Sequence, residues 1–452
     1  MNIILVGAGK IGTTVASQLQ REGHNVTVVD KDAEALETVS SSFDVGSVLG
    51  RGENADVLDE AGVSGADLFI ALTGSDETNL LCCLLAKKKG ARNTISRVHQ
   101  PEFREMIKLI SDDLGLSMYV NPERSAANEI ARLFEFPMAK RVESFCGGLI
   151  EMVSLELGPA SPLCGRVVMD VFGRVKSALV CAVERGGDVF IPHGSFRFET
   201  GDVVTMISPA RKTWESLNEI GAKKQLIKKV IIAGGGRISY YLADRLLTRR
   251  VRVQIIERSE KTAHLLTERL PGADVCVGDG TDQAFLEEQG IEQCDAFCCL
   301  TGIDEENILT SLFVSHVAPQ IKTVTKINRQ ELIPIVRPLG IGSVVSTKQI
   351  AADRVVSYVR ARQNGVGSGI VTLYQIVDGK AEAIEFEVTG ESRTIGVPLK
   401  DLKLKDNVLL ACIQRNGSVI SPRGDDKILP GDSVIVVTTH TGFDILDDIL
   451  KG

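Results

Sequence analysis

IILVGAGKIGTTVASQL, residues 3–19, is the stretch that decides the fold of this chain. A short apolar run, typical of a buried strand, leads into Gly7, Gly9 and Gly12, and the residues that follow have the spacing of an amphipathic helix. Glycines in this GxGxxG arrangement permit a tight turn, a close approach of the backbone to a diphosphate and close packing of the helix on the strand. We therefore predict a strand, a glycine loop and a helix whose N-terminus faces a phosphate.

The chain contains this segment twice. VIIAGGGRISYYLADRL at residues 230–246 matches it, and Gly236 lies 227 positions after Gly9. Two later stretches repeat at nearly the same distance: DLFIALTGSDETNLL matches DAFCCLTGIDEENIL, and AVERGGDVF matches CIQRNGSVI. A nearly fixed repeat distance across most of the chain predicts an internal duplication, in which each copy has a larger N unit followed by a smaller C unit.

The patterning of the two kinds of unit predicts the fold class. The N units alternate β-branched apolar runs with helix-period segments, which is typical of a parallel sheet covered by helices. The C units consist of short alternating runs broken by Gly, Pro and Asp, which indicates a small antiparallel module. We predict an α/β protein with two doubly wound Rossmann-type parallel-sheet domains, each followed by a small α+β domain. The expected domain ranges are 1–135, 140–222, 227–360 and 368–452. The expected linkers are residues 135–148, 360–370 and 208–229, of which the last carries Trp214 as a packing anchor.

An acidic residue closes the second predicted strand of each N unit, Asp30 in VTVVD and Glu257 in VQIIE. A carboxylate about 20 residues after the glycine loop binds ribose hydroxyls and repels the additional phosphate of NADP. We therefore expect NAD rather than NADP. ATP and ADP stay open as ligands, because they share the adenosine diphosphate group. The second site is expected to be altered, since Ser239 replaces the third glycine and Glu257 is longer than Asp30.

Further candidates lie in the loops that follow the strands. Lys10 and Arg237 share one loop position, where a cation either contacts the diphosphate or lies in solvent. Asp279 falls opposite Arg51 in the loop after the third strand, which we expect to border the adenine or the ribose.

Thr73 with Gly74, and Thr301 with Gly302, follow the fourth strand of each N unit. That position is the edge of the sheet where open α/β folds bind ligands. An ordinary turn between strand and helix explains these residues equally well.

Composition excludes several classes of protein. Hydrophobic residues make up 44% and charged residues 24%, which is ordinary globular usage. No apolar run reaches membrane-helix length and the N-terminus enters the glycine loop directly, so we expect a cytoplasmic protein. A net charge of -8 without a long Lys/Arg run makes nucleic acid an unexpected partner.

The chemically reactive residues do not form an evident catalytic or metal site. Cys298 and Cys299 fall opposite Ile70 and Ala71 in a predicted buried strand, so we interpret them as core residues and expect no metal. The acidic pairs in DETNLL and DEENIL, which begin at Asp76 and Asp304, stand at helix starts and are interpreted as helix caps. We expect no catalytic residue and no enzyme, with an NAD-dependent oxidoreductase as the alternative.

The stretches VGAGKIG, VTVVD, ALTGSDETNLLCCLLAKKKGA and the Pro-x-Gly…Gly-Asp ending resemble the regulatory subunit of Trk-type potassium uptake systems. The N units resemble KTN, or RCK N-terminal, domains and the C units resemble RCK C-terminal domains. This resemblance implies a homo-oligomeric ring, dimer or tetramer, peripherally associated with the inner face of the cell membrane. It implies that bound nucleotide gates an integral membrane potassium-translocating subunit. A nucleotide-binding assembly module for another channel or efflux system stays open.

The resemblance also implies which residues line the two pockets. The first set is Gly7, Ala8, Gly9, Lys10, Ile11, Asp30, Thr73, Gly74 and Arg97, to which the GxGxxG motif itself adds Gly12. The second set is Gly234, Gly235, Gly236, Arg237, Ile238, Glu257, Thr301 and Gly302, with Lys326 near the position of Arg97. It further implies that SMYVNPERSAANEIARLF and VVSTKQIAADRVVSYV are crossover helices that pair subunits.

Overall fold

Four β-sheets follow one another along the chain, alternately parallel and antiparallel, in the part that the structure describes. The structure is a computed structural model, and it describes residues 1–100, 103–111, 113–172, 178–222, 226–363, 369–376, 380–390 and 392–451. Two six-stranded parallel sheets, each followed by a five-stranded antiparallel sheet, confirm the predicted fold class.

The first parallel sheet has the strand order β3-β2-β1-β4-β5-β6. Its strands are β1 (Asn2–Val6), β2 (Asn25–Asp30), β3 (Gly46–Leu49), β4 (Leu68–Ala71), β5 (Asn93–Arg97) and β6 (Met118–Val120). Its helices are α1 (Lys10–Arg21), α2 (Ala33–Ser42), α3 (Ala55–Glu60), α4 (Asp76–Lys88), α5 (Phe103–Ile110) and α6 (Pro122–Glu135). The order reverses between β1 and β4, and the carboxyl ends of these strands border the crevice where doubly wound sheets bind ligands.

The sequence patterns explain these elements. Every residue of β4, LFIA, is buried, as expected for a central strand covered on both faces. α1 buries one face, formed by Gly12, Val15, Ala16 and Leu19. α2 begins after Asp32, whose side chain accepts hydrogen bonds from the backbone N–H groups of two residues in the first turn.

The first antiparallel sheet has the order β10-β9-β11-β8-β7. Its strands are β7 (Ala139–Phe145), β8 (Ile150–Glu156), β9 (Leu179–Arg185), β10 (Asp188–Phe190) and β11 (Val203–Pro209), with helices α7 (Val168–Phe172) and α8 (Thr213–Glu219). The expected linker over residues 135–148 is wrong, because β7 occupies it and pairs with β8. Its polar residues conceal a strand that buries Ala139, Val142 and Phe145.

The second parallel sheet repeats the first, with the order β14-β13-β12-β15-β16-β17. Its strands are β12 (Lys229–Ala233), β13 (Arg252–Glu257), β14 (Asp274–Val277), β15 (Ala296–Cys299), β16 (Lys322–Lys326) and β17 (Ser343–Val345). Its helices are α9 (Arg237–Thr248), α10 (Glu260–Arg269), α11 (Gln283–Glu288), α12 (Asp304–Val317), α13 (Ile333–Val336) and α14 (Thr347–Gln363). Asp30 and Glu257 are the last residues of β2 and β13, as the sequence predicts.

The second antiparallel sheet has the order β18-β19-β22-β20-β21. Its strands are β18 (Gly369–Ile376), β19 (Ala381–Glu387), β20 (Val408–Arg415), β21 (Ser418–Ile420) and β22 (Ser433–Thr438). Short 3-10 helices span Val63–Gly65, Cys146–Gly148, Ala210–Lys212, Ile291–Gln293, Gln330–Leu332, Arg337–Leu339, Leu399–Asp401 and Leu446–Ile449. The two antiparallel sheets share an apolar cluster, in which the rings of Phe145 and Tyr374 meet edge to face at 4.9 Å.

The chain forms two compact units that do not follow the four expected domain ranges, which stay a prediction. One unit comprises Met1–Ala126 with Ser346–Val356, and the other comprises Ala127–Val345 with Ser357–Gly452. α6 and α14 therefore each have residues in both units, and pairing of subunits by these helices stays a prediction. Trp214 packs on Phe136 with ring centroids 5.2 Å apart, which confirms it as a packing anchor. Among the described helices, none has the length and apolar character that crossing a bilayer requires.

Candidate functional site

The first glycine loop joins β1 to α1. Its three glycines differ in whether backbone conformation or packing demands a residue without a side chain. Gly7 has φ +109°, a conformation that side chains disfavour. A Cβ atom at Gly12 would lie 1.8 Å from the carbonyl oxygen of Gly7, so this contact also demands glycine. Gly9 has an ordinary φ of -69° and open space where its Cβ would project. The protein's own packing therefore does not require Gly9, and a glycine here leaves the backbone accessible to close approach.

Both glycine-loop helices begin without a side-chain cap. α1 follows Gly9 and α9 follows Gly236, and neither has an acidic residue in its first turn. The side chains of Asp32, Asn54 and Ser75, in contrast, cap the next three helices of the first repeat. Uncapped N–H groups at the positive end of a helix are suited to bind an anion such as a diphosphate.

Asp30 binds the glycine loop directly. Its Oδ2 accepts a 2.6 Å hydrogen bond from the backbone N–H of Ala8, and its Oδ1 accepts a 3.0 Å bond from the N–H of Asp32. A carboxylate has about four acceptor positions, so both oxygens retain capacity for ribose hydroxyls. Asp30 therefore both orders the loop and offers acceptors to a ligand.

Glu257 makes the same two contacts in the second repeat despite its longer side chain. Its Oε2 accepts a 2.7 Å bond from Gly235 N–H and its Oε1 accepts a 2.7 Å bond from Ser259 N–H. The additional methylene is accommodated because glycine replaces Ala8 here. A Cβ at Gly235 would lie 2.9 Å from Glu257 Oε2 and 2.7 Å from Leu266. The second site is thus altered in its side chains but keeps the contacts of the first.

Thr73 is held by a buried amide that the sequence analysis missed. Asn79, on α4, accepts hydrogen bonds at its Oδ1 from the N–H and the hydroxyl of Thr73, at 2.8 and 2.7 Å. Its amide nitrogen donates to the carbonyl oxygens of Thr73 and Arg97, at 3.2 and 3.1 Å. The side chain of Asn79 therefore joins the carboxyl end of β4 to that of β5.

The second repeat contains the same arrangement. Asn307 accepts from the N–H and the hydroxyl of Thr301 at 3.0 and 2.7 Å, and it donates to the carbonyl oxygen of Lys326 at 3.0 Å. Asn79 and Asn307 are both fully buried. The signal in the sequence was an amide that recurs at the same position of DETNLL and DEENIL.

Arg97 and Lys326 end β5 and β16 but bind different partners. Arg97 donates from its guanidinium to Glu123 Oε1 at 2.7 Å, and both side chains are largely buried. Among the described residues, neither Arg97 Nε nor Glu123 Oε2 has a hydrogen-bond partner. Lys326 instead donates to the carbonyl oxygen of Thr301 at 2.9 Å. Glu123, in the first turn of α6, was not among the predicted site residues.

The interpretation of the acidic pairs as helix caps is wrong for Asp76. The N-cap of α4 is Ser75, whereas the buried carboxylate of Asp76 accepts from the N–H groups of His99 and Gln100. His99 Nδ1 also lies 2.6 Å from Asp76 Oδ1. The carboxylate of Asp76 thereby fixes the chain after β5.

Asp304 has the corresponding role in the second repeat. Its carboxylate accepts from the N–H groups of Asn328 and Arg329, at 2.9 and 2.8 Å. The N-cap residue of α12 is Ile303, which makes no side-chain cap. Helix capping is therefore wrong for Asp304 too, and the two acids are structural supports of the strand-end loops.

The remaining candidates lie at the same edge of each sheet. Lys10 and Arg237 are exposed at the first positions of α1 and α9. Arg51 pairs with Glu53 in its own loop. Asp279 is exposed, and hydrogen bonds from Thr281 lower the pKa of its carboxyl group. Asp279 therefore contributes mainly to its local turn.

The cysteines examined as possible ligands are core residues. Cys298 and Cys299 are fully buried on β15, as the sequence predicts. Burial raises the pKa of Cys299 to about 12 and that of Cys298 well above its usual value. Throughout the described ranges, no group of three His, Cys, Asp or Glu side chains is placed to hold a metal ion.

Comparison with known families gives matches in both halves of the chain. The family of the TrkA-N domain matches residues 3–122 and 230–347, and the family of the TrkA-C domain matches residues 152–212 and 383–451. These matches cover each parallel-sheet region and most of each antiparallel one. They repeat in the order that the internal duplication predicts.

Full-length relatives are also similar to the chain. A "Trk system potassium uptake protein TrkA homolog" of Archaeoglobus fulgidus is 31% identical over 451 residues and covers 100% of both chains. The "Trk system potassium uptake protein TrkA" of Halomonas elongata is 31% identical over 443 residues, covering 96% of this chain and 95% of that protein. Among solved structures, "GsuK channel bound to NAD" matches with a TM-score of 0.64 and 19% identity, covering 97% of this chain and 76% of that one. That similarity shows a common fold.

Proposed function

The chain belongs to the TrkA family of Trk system potassium uptake proteins, and from this membership we propose that it is a nucleotide-binding regulatory subunit that gates a potassium-translocating membrane protein. One observation carries the proposal. Each half has an uncapped helix after a glycine loop, together with an acid at the end of the next strand. Two such sites in one chain fit a sensor of nucleotide better than a single catalytic pocket.

The proposed ligand is NAD or NADH, with ATP or ADP as the alternatives. The diphosphate would bind the N–H groups at the starts of α1 and α9. The ribose hydroxyls would bind Asp30 and Glu257, which disfavour the additional phosphate of NADP. The N–H and hydroxyl of Thr73 both donate to Asn79. Because these donors are already paired, we assign Thr73 a role in shaping the pocket. Thr301 has the same role in the second site.

The contact between Arg97 and Glu123 suggests how binding in the first site reaches the rest of the chain. A phosphate oxygen competes with the Glu123 carboxylate for the Arg97 guanidinium, because both are anions that form charge-assisted hydrogen bonds with it. Glu123 lies in the first turn of α6, and α6 continues into the other compact unit. Nucleotides that bind Arg97 differently would therefore stabilise different positions of α6, which is the differential interaction that gating requires.

Partners and location follow from the family. We propose a homo-oligomeric ring, dimer or tetramer, bound to the inner face of the cell membrane through an integral membrane potassium-translocating subunit. The names of the relatives support this role over an NAD-dependent oxidoreductase. We place the four domains at residues 1–135, 140–222, 227–360 and 368–452.

The test is calorimetric titration of the full chain with NAD, NADH, ATP and ADP. We expect two binding events, of which Asp30→Ala weakens one and Glu257→Ala the other. Flux of rubidium through the co-purified membrane subunit should then depend on which nucleotide is bound. Failure of all four nucleotides to bind would refute the proposal, and steady oxidation of NADH with a small-molecule substrate would favour the oxidoreductase instead.

A further inference from the structure

We propose that Asn79 is a positioning residue that gives the first site its preference for a dinucleotide over an adenosine mononucleotide. The inference rests on the nucleotide binding proposed above and deepens it. Asn79 does not touch the ligand. It acts through the Thr73–Gly74 peptide, which it holds beside the crevice of the first parallel sheet.

The contacts of Asn79 are specific to an amide. Its oxygen accepts twice, from Thr73 N–H and Thr73 Oγ–H, and its nitrogen donates twice, to Thr73 O and Arg97 O. Only Asn and Gln side chains combine two acceptor positions with two donors. The same four kinds of contact recur at Asn307 in the second repeat. Both copies of the duplicated unit therefore retain this arrangement.

The contacts of Asn79 with Thr73 and Arg97 lie at one place along the sheet, and that place determines which part of a ligand they affect. Asp30 closes β2, on one side of the switch between β1 and β4, and in the proposed site it would bind the adenosine half of the ligand. Thr73 and Arg97 lie on the other side, at the ends of β4 and β5. A dinucleotide crosses the switch point, whereas ADP is short enough to stay on the β1–β2 side.

Gly74 leaves room for a ligand on this side of the switch. Its φ is outside the left-handed region and a Cβ atom at this position would meet nothing within 4 Å. Gly302, its equivalent, also has open space. Neither backbone conformation nor internal packing requires glycine here, which is also true of Gly9 in the glycine loop. Gly9 and Gly74 lie on opposite sides of the switch point, and the fold requires glycine at neither position. One ligand that approaches the backbone at both positions fits this arrangement.

The energetic argument follows from burial. In Asn79→Asp, the carbonyl oxygens of Thr73 and Arg97 would each lose the donor that Asn79 provides at a buried position. The Thr73–Gly74 peptide would turn toward other partners. The surface offered to the second half of a dinucleotide would then change, while the glycine loop and Asp30 would not.

The experiment measures NAD and ADP affinities at the first site of the full chain, for Asn79→Asp and for the unsubstituted protein. Aspartate keeps both acceptor contacts of Asn79 and removes both donor contacts. We expect the affinity for NAD to fall at least about tenfold and the affinity for ADP to change by less than about threefold. Asn307→Asp is the matched control, and it should leave both affinities at the first site unchanged.

Gly74→Ala provides a second variant in case Asn79→Asp folds poorly. Alanine is compatible with the backbone and packing at this position, so the protein should unfold at the same denaturant concentration as the unsubstituted chain. The methyl group should nevertheless weaken the binding of NAD and leave the binding of ADP unchanged. A purely structural role of Asn79 predicts instead that NAD and ADP affinities fall by the same factor, and that result would overturn the inference. If the unsubstituted chain binds none of NAD, NADH, ATP and ADP, the proposed function itself fails; if it binds a nucleotide but does not prefer NAD to ADP, this inference alone fails.

Discussion

Ser239 donates a hydrogen bond of 2.5 Å from its hydroxyl to the carbonyl oxygen of Gly234. The equivalent residues in the first repeat are Gly12 and Gly7, where a Cβ atom on Gly12 would lie only 1.8 Å from the Gly7 oxygen. The start of α9 therefore accommodates a side chain at this position, which the contact between Gly12 and Gly7 excludes on α1. The hydroxyl of Ser239 satisfies the loop carbonyl.

Gly12→Ser should accordingly destabilise the first repeat and weaken nucleotide binding there. The added atoms collide with backbone, which cannot move as a flexible side chain can, so we expect a loss of about 1–3 kcal/mol in unfolding free energy. Denaturant unfolding followed by circular dichroism measures it. Ser239→Gly is the control, because it removes one hydrogen bond worth about 1 kcal/mol without a collision. Equal losses in the two variants would contradict the steric argument.

Three neighbouring positions differ in size between the repeats. Ala8 of the first repeat is Gly235 in the second, which removes a methyl group from the glycine loop. Asp30 and Val39 are Glu257 and Leu266 in the second repeat, so each of these two side chains is longer by one carbon. Gly235→Ala should cost about 1–3 kcal/mol, because its methyl group would meet Glu257 and Leu266. Adding Glu257→Asp and Leu266→Val recreates the first-repeat combination and should recover most of that loss. Thermal unfolding of the single and triple variants gives the comparison. Additive losses in the triple variant would show that the three positions do not compensate one another.

A Gly-Asp pair recurs in both C units, and the contacts of Asp202 give its structural role. Its fully buried carboxylate accepts from Arg185 Nε and a terminal guanidinium nitrogen at 2.7 and 2.8 Å, and from Glu199 N–H. Asp202→Asn should lower the unfolding free energy by about 1.5–3 kcal/mol, because it removes charge-assisted bonds from a buried acceptor. Urea denaturation measures the effect. Asp188→Asn, at an exposed position of β10, should change stability by less than about 0.5 kcal/mol.

Lys322 should make stability depend on pH above neutrality. Burial, with a smaller contribution from Lys140, lowers the pKa of Lys322 from 10.5 to about 8. Between these values the unfolded chain binds a proton that the folded chain does not, so folding becomes more favourable as the pH rises from about 8 to 10.5. We expect a gain on the order of 1 kcal/mol, since the side chain is only partly buried.

Lys322→Met isolates this contribution. The difference in unfolding free energy between the unsubstituted protein and the variant should change with pH only in that interval, because other titrating groups cancel. Urea denaturation at several pH values provides the data. A difference that stays constant from pH 7 to pH 11 would contradict a lowered pKa for Lys322.

The sequence by itself determined the duplication and the fold class, and the candidate residues of each site stay a prediction. The evidence was local: periods of two and 3.6 residues, the spacing of the glycines, and the acids Asp30 and Glu257 at strand ends. Such patterns involve residues close together in the sequence, so they can be recognised without the structure. The burial of Cys298 also followed, because the repeat placed it opposite an apolar strand residue. The strand β7 did not follow, since its polar residues conceal the alternation and its pairing partner β8 defines it.

Only the tertiary structure decided how the strand-end loops are held. Asn79 reaches from α4 to β5, Asp76 fixes the chain after β5, and Glu123 binds Arg97 from the start of α6. Each contact joins residues at least 18 positions apart, and the identity of either partner alone does not predict it. The physical reason is that a buried polar group must find a partner wherever the fold brings one, and sequence distance carries no information about that encounter.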